Sequence, residues 1–361
     1  MNLAEPLQQL DRTYVRSGRQ KLSYFAGCDY FRLASHPRVL RALEQGLQKF
    51  GLNVAASRLT TGNHELYGRL EGELANFFSC ESAVVIPNGY ATNLIAAQAL
   101  KGRFTHVIID EKAHGSLGDA AQFFGGRILQ IKHRDANDLP RVLVRCGKGA
   151  RPILLTDGMF SHDGSIAPLQ EYLRALPRDS MMLVDDAHGA GTLGATGKGT
   201  LELEGIDRRR VVQTITLSKA FGVYGGAILG SRKLAQEISA RSKMFIGSTP
   251  LPLPLVNAAL ASVAVLGQDK ALRRRLARNV EHVKSKLRAG GFPVIDSPSP
   301  LIAVVPRNRQ HALQLKKRCL AHKIFPSFIN YPGGPASGYF RFALSSEHSP
   351  EQLDALLKVL V

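Results

Sequence analysis

Apolar and polar positions fall into two alternating patterns between residues 64 and 229. Short, near-continuous apolar runs predict strands at Ala83–Ile86, His106–Ile109, Arg127–Ile131, Pro152–Leu155, Ser180–Val184, Val211–Leu217 and Gly226–Leu229. Such runs suit strands covered on both faces by helices, as in mainly parallel sheets. Segments with apolar residues at helical spacing, such as His64–Phe78 and Ala91–Leu100, accompany them. Strands and helices alternating over this length predict a doubly wound α/β domain. The pattern changes around Pro250-Leu251-Pro252-Leu253-Pro254. Two long helical patterns follow, Leu255–Leu266 and Ala271–Ala289, then short strands at Pro300–Val305 and Phe340–Leu344 and a closing helix from Pro350. The expected organisation is an N-terminal segment over 1–45, a large domain over 46–266 and a small α+β domain over 267–361.

Composition narrows the class. With 361 residues, 44% hydrophobic and 21% charged, the chain is globular rather than disordered. No apolar run approaches the roughly 18 residues a membrane-spanning helix needs, and Met1 to Gln20 lacks the apolar core of a secretory signal. Cys28, Cys80, Cys146 and Cys319 are scattered, with no Cys-x-x-Cys pair. That spacing excludes a zinc ribbon, argues against a disulfide framework and leaves the cytoplasm as the expected location; no metal is expected.

The net charge of +18 admits an anionic partner. Its densest stretch holds Arg273, Arg274, Arg275, Arg278, Lys284, Lys286 and Arg288, interleaved with Leu272, Leu276, Val280, Val283 and Leu287 at helical spacing. These basic residues read as the wet side of an amphipathic helix, and with no nucleic-acid-binding motif beside them no nucleic-acid partner is expected.

Two glycine motifs fail on context. Gly189-Ala190-Gly191-Thr192-Leu193-Gly194 matches a dinucleotide loop, but Asp185-Asp186-Ala187-His188 separates it from the strand, and Gly197 and Gly199 follow where a helix should begin. Gly197-Lys198 lacks the remaining residues of a phosphate loop.

Four other segments carry candidate chemistry. Lys219 follows the run Val211–Thr216 and precedes glycine-rich residues, a place where a lysine can form a Schiff base with a carbonyl cofactor, or simply sit on a surface loop. Asp185 and His188 lie at another strand end, where a carboxylate can keep a pyridine nitrogen protonated, or merely cap a helix. Asn88-Gly89-Tyr90 is a glycine turn opening onto a helix, suited to phosphate or to an ordinary connection. His114, just past a strand, can stack on an aromatic ring or be structural. Together the four describe one cofactor, pyridoxal 5′-phosphate (PLP).

These segments, with Asp29-Tyr30, Ser57-Arg58 through Glu71, Asp157 through Gly164, and Thr216-Leu217-Ser218-Lys219, give the chain a resemblance over nearly its whole length. It resembles the α-oxoamine synthases, PLP enzymes of fold type I with a mainly parallel large domain and a smaller α+β C-terminal domain. The resemblance implies that Lys219 holds the cofactor covalently, Asp185 pairs with the ring nitrogen, His188 with the phenolic oxygen, and His114 stacks on the ring. It puts Ser161 beside the cofactor, and Gly89, Tyr90 and Thr216 at its phosphate. Ser248 and Thr249 would reach the phosphate of a neighbouring subunit, which implies a homodimer with shared active sites. Arg341 would grip the amino-acid carboxylate.

The implied reaction is the decarboxylative condensation of an amino acid, alanine first, with an acyl thioester on CoA or acyl-carrier protein. The alternatives are a glycine C-acetyltransferase, an aminotransferase, or a basic binding protein without activity. Three positions depart from the family pattern: Cys28 replaces Asn, Val54-Ala55-Ala56 replaces a glycine-rich stretch, and Asp157 replaces Glu. The resemblance puts all three towards the substrate side.

Overall fold

The computed structural model describes residues 5–330, 335 and 337–361. Three short strands open the chain: β1 (Gln8–Gln9), β2 (Tyr14–Ser17) and β3 (Gln20–Ser23). Seven follow: β4 (Ser82–Ile86), β5 (His106–Asp110), β6 (Arg127–Ile131), β7 (Pro152–Asp157), β8 (Met181–Asp185), β9 (Val211–Thr216) and β10 (Gly226–Gly230). The last are β11 (Leu301–Val304), β12 (Phe328–Ile329) and β13 (Tyr339–Ala343).

The apolar runs form a seven-stranded sheet in the order β4-β10-β9-β8-β7-β5-β6. Its ladders from β9 to β6 are parallel, and β10 alone runs opposite, antiparallel to both β9 and β4. Side chains alternate between the two faces. Val107, Ile109, Ile153, Leu155 and Leu183 join one core cluster, while Ile108, Leu154, Met182 and Val184 join the other. Both faces are dry, which explains the near-continuous apolar runs. Each such side chain fully buried contributes about 1.5–3 kcal/mol.

The chain divides into two compact units. The larger comprises His36–Phe160 and Ile166–Gln268 and contains this sheet. Its helix Pro37–Phe50 packs on helix Leu253–Gln268, with Asn257 Nδ2 donating to Ala42 O at 2.7 Å. Residues 36–45 thus belong to this unit and not to a separate N-terminal segment. The smaller unit comprises the chain up to Ser35, the segment Ser161–Ser165, and Asp269–Val361. Backbone pairing gathers its distant pieces: Ser23 N–H donates to Lys323 O at 2.7 Å, Phe325 N–H to Ser23 O at 2.9 Å, and Ala343 N–H to Phe25 O at 2.6 Å. Within it, β11-β13-β12 form an antiparallel sheet.

Helix Lys270–Ala289 corrects one expectation. Arg274, Arg278, Lys286 and Arg288 face solvent, but Lys284 is only 2% exposed, on the same side as Leu276, Val280, Val283 and Leu287. Helical spacing alone counts a lysine as polar, whereas this one is buried against backbone carbonyls. No helix among the described residues is long and apolar enough to cross a membrane.

Candidate active site

Strand register lines up the motif residues along one edge of the large sheet. Asp157 stands opposite Asp185, Asp185 opposite Thr214, and Gly226 pairs with both Thr216 and Ile86. Open α/β sheets bind ligands beyond the carboxyl ends of their parallel strands. A cavity of about 180 Å³ lies there, lined by Gly89, Tyr90, His114, Ser116, Asp157, Asp185, Ala187, His188, Thr216 and Lys219.

Asp185 is held from two sides. Its Oδ2 accepts from Asn93 Nδ2 at 2.6 Å and its Oδ1 from the Ala187 N–H at 3.1 Å. Asn93 is fixed in turn: its Nδ2 also donates to Ser116 Oγ at 2.9 Å, and its Oδ1 accepts from Thr214 Oγ1 at 2.6 Å. The carboxylate keeps lone pairs for a further donor.

His114 and Asp157 are tied together. The His114 N–H donates to Asp157 Oδ2 at 2.8 Å, and His114 Nδ1 accepts from the Ser116 N–H at 3.3 Å, capping helix Gly115–Ala121. Burial pushes the His114 pKa down; Asp185 opposes this and Lys219 adds to it. The imidazole is therefore neutral at pH 7. Burial pushes the Asp157 carboxyl well above the usual range, and the Asp185 charge raises it further. Asp157 thus lines the cavity with Lys219 and favours its protonated form.

Beside Gly89 and Tyr90, which line the cavity, Asn88 caps helix Gly89–Ala99, its Oδ1 accepting from the Ala91 N–H at 2.9 Å. A Cβ on Gly89 would stand 2.7 Å from Thr216 Cβ, so only glycine lets the helix start approach β9 this closely. Tyr90 meets His114 edge-on at 6.0 Å, and its hydroxyl donates to Asp119. Thr216 Oγ1 accepts from the Ser218 N–H and donates to Gly225 O, both at 3.1 Å. The half-buried Lys219 follows in a loop closed by Leu217 N–H to Gly225 O and Gly222 N–H to Lys219 O, both 2.9 Å.

This donor set fits PLP. The helix start and its glycine suit a phosphate dianion, the anchored Asp185 suits a ring N–H, the neutral His114 offers a flat partner, and Lys219 offers an amine.

Ser248 and Thr249 follow helix Lys243–Gly247 and do not line this cavity; the Ser248 hydroxyl donates to Met244 O. Arg341, Ser161 and Cys28 meet in the smaller unit. The guanidinium donates from Nη1 to Ser161 O at 2.9 Å and from Nη2 to Cys28 Sγ at 3.8 Å, while its buried Nε has no partner among the described residues.

Asn93 and Thr214 escaped the sequence reading, although a buried asparagine among Ile95, Ala96, Ala97 and Ala99 is a signal in itself. So did the role of Asp186, which is fully buried and accepts from the Thr200 N–H at 2.8 Å, Thr200 Oγ1 at 2.6 Å and Gln213 Nε2 at 2.6 Å. A Cβ on Gly199 would overlap the Asp186 carboxylate. Of the glycines after His188, Gly189 and Gly199 pack closely on this carboxylate, whereas Gly191 closes on Ala220 and Gly194 on Glu202.

The family model for aminotransferase class I and II matches residues 28–360. The 8-amino-7-oxononanoate synthase of Thioalkalivibrio sulfidiphilus is 35% identical over 349 residues, covering 96% of this chain and 89% of that protein. Among solved structures, Sphingomonas wittichii serine palmitoyltransferase matches with a TM-score of 0.90 at 27% identity, covering 98% of this chain and 90% of that one. The 8-amino-7-oxononanoate synthase of Francisella tularensis matches with a TM-score of 0.80 at 25% identity, covering 94% and 96%. Fold, cavity and relatives agree: the chain belongs to the aminotransferase class I and II family and, within it, to the α-oxoamine synthases, PLP-dependent acyltransferases of fold type I.

Proposed function

We propose that the protein condenses L-alanine with an acyl thioester, pimeloyl foremost, on CoA or acyl-carrier protein. The products are an α-aminoketone, CO2 and the free thiol. The sharing of one cavity by Lys219, His114 and an Asn93-anchored Asp185 carries this reading.

When bound, PLP supplies an aldehyde for the substrate amine and a protonated ring that accepts the electron pair left at Cα. The chain's own residues do the rest. Asp185 would hold the proton on the ring nitrogen, and Asn93 with the Ala187 N–H keeps that carboxylate aimed. The neutral His114 imidazole would stack on the ring, and His188 would pair with the phenolic oxygen. Gly89, Tyr90 and Thr216, with the helix capped by Asn88, seat the phosphate. Lys219 would hold the cofactor aldehyde through its Nζ and, as a free amine, would take the Cα proton and later return one.

Arg341 grips the substrate carboxylate with its guanidinium, Ser161 holds that guanidinium through its carbonyl, and Cys28 flanks it. Ser248 and Thr249 reach the phosphate of a second copy in a homodimer working in the cytoplasm. The +18 charge steers the anionic thioester donor towards the enzyme.

The test is product analysis on PLP-loaded protein given L-alanine and acyl thioesters of graded length. Stoichiometric CO2 and thiol support the proposal. An oxo acid with neither product identifies an aminotransferase and overturns it.

A further inference from the structure

We infer that Lys284 is a positioning residue for the amino-acid site, acting on Arg341 through two loops; this rests on the carboxylate-binding assignment of Arg341 above. Lys284 Nζ donates to Ser297 O at 2.8 Å and reaches Ile295 O and Ser297 Oγ, both at 3.4 Å. All three acceptors are neutral oxygens. Burying an ammonium without a carboxylate partner is costly, and an apolar side chain of similar length would pack a helix face at less expense. Burial lowers the amine to about 8, with Arg288 acting in the same direction and Asp296, Asp163 and Glu281 opposing. Such a residue is explained by what it holds.

It holds the 295–297 backbone, and Ser297 passes the restraint on. Ser297 Oγ donates to Gly164 O at 2.9 Å. Gly164 belongs to the Ser161–Ser165 segment, where Asp163 Oδ1 accepts from the Ser165 N–H at 2.9 Å and tightens the turn. The first residue of that segment gives its carbonyl to Arg341 Nη1 at 2.9 Å. Among the described residues, the other contacts of the guanidinium are weak: Nη2 meets a thiol at 3.8 Å, and Nε has no partner. The Ser161 carbonyl therefore sets the orientation of Arg341, and the Lys284–Ser297–Gly164 run sets the carbonyl. A bidentate grip depends on that orientation, and a shift of about 1 Å can cost on the order of 100-fold.

The experiment uses PLP-loaded Lys284→Met, Ser297→Ala and Ser297→Thr, with Arg341→Ala as control. L-Alanine is titrated at equilibrium by the visible absorbance of the cofactor, and kcat and the thioester KM are measured at saturating alanine. Lys284→Met and Ser297→Ala should raise the alanine Kd by about 5- to 20-fold, leave kcat and the thioester KM within about twofold, and Ser297→Thr should stay near wild type. Ser297→Ala leaves the lysine in place and decides the matter if Lys284→Met does not fold. Unchanged alanine affinity in these variants, or an equal loss across Kd, kcat and thioester KM, overturns the inference. Wild-type alanine affinity in Arg341→Ala would instead overturn the assignment beneath it, and the inference with it.

Discussion

Asn93 donates to Asp185 across 2.6 Å from the buried side of helix Gly89–Ala99. Thr214 and Ser116 fix the amide, so the carboxylate is aimed by a three-residue polar network together with the Ala187 N–H. A hydrogen bond to a charged group contributes about 1.5–3 kcal/mol. Asn93→Leu should therefore weaken PLP binding by about 10- to 100-fold and lower kcat, with the fold kept. Titration of the apo protein with PLP, beside circular dichroism, checks both parts. Wild-type cofactor affinity in this variant would show that the network does not serve Asp185.

Gly89 tests the phosphate end. An alanine Cβ there would lie 2.7 Å from Thr216 Cβ and 2.8 Å from Thr216 Oγ1, so the helix start must back away from β9. Overpacking of this kind costs about 1–3 kcal/mol. Gly89→Ala should lower Tm and raise the PLP Kd, with a much smaller effect on affinity for pyridoxal, which lacks the phosphate. Equal losses for the two ligands would place the phosphate elsewhere.

Ala55 occupies one of the positions where the resemblance expects a glycine-rich stretch. Its φ is +52°, in the left-handed region that disfavours a Cβ, and its N–H donates to Asn53 Oδ1 at 3.1 Å. That conformation costs an alanine about 1 kcal/mol. Ala55→Gly should match or exceed wild-type stability, by up to about 1 kcal/mol in urea unfolding, because the added chain entropy of glycine offsets part of the relief. A clear loss of stability would mean that the methyl group packs favourably.

His348 gives the smaller unit an acid limit. Its Nδ1 accepts from the Ser345 N–H at 3.0 Å, its Nε2 lies 3.1 Å from Tyr24 O, and its ring stacks on Phe25 at 4.0 Å. Burial, with the nearby Arg32 charge, lowers its pKa to about 3. Between the unfolded value and this one the unfolded chain binds the extra proton, so stability falls as pH drops from about 6.5 towards 3. The loss from this group between pH 7 and pH 5 is about 2 kcal/mol. His348→Gln should be less stable at pH 7 but lose that much less on acidification, as read by urea unfolding at the two pH values. Parallel pH profiles would remove His348 as the cause.

The parts legible in the sequence were those where one physical demand dominates. Strands dry on both faces leave unmistakable apolar runs, and β4 to β10 lie within two residues of where these runs put them. Direction was not legible: an apolar run does not say that β10 opposes its neighbours. Nor were β1 to β3, short strands with exposed positions whose place depends on pairing near Ile324, far along the chain. Within the candidate site, the reactive side chains stood out through their motifs, but Asn93 did not, and neither did the buried Lys284 of the smaller unit. Each looks like an ordinary polar residue on a helix until the acceptor it meets is known, and those acceptors come from other elements.

The position of β10 also has a consequence for biosynthesis. Among the described residues, β4 has no ladder partner other than β10, which begins roughly 140 residues later. At ribosomal speeds of about 5–20 residues per second, Ser82–Ile86 stays without a partner for about 7–30 s after it is made. Through that interval the nascent chain exposes a sticky β-edge, and the turn at Gly89 has not yet met Thr216. Vitamin loading must therefore follow insertion of β10, and slow passage through this stretch is when a holding chaperone matters most.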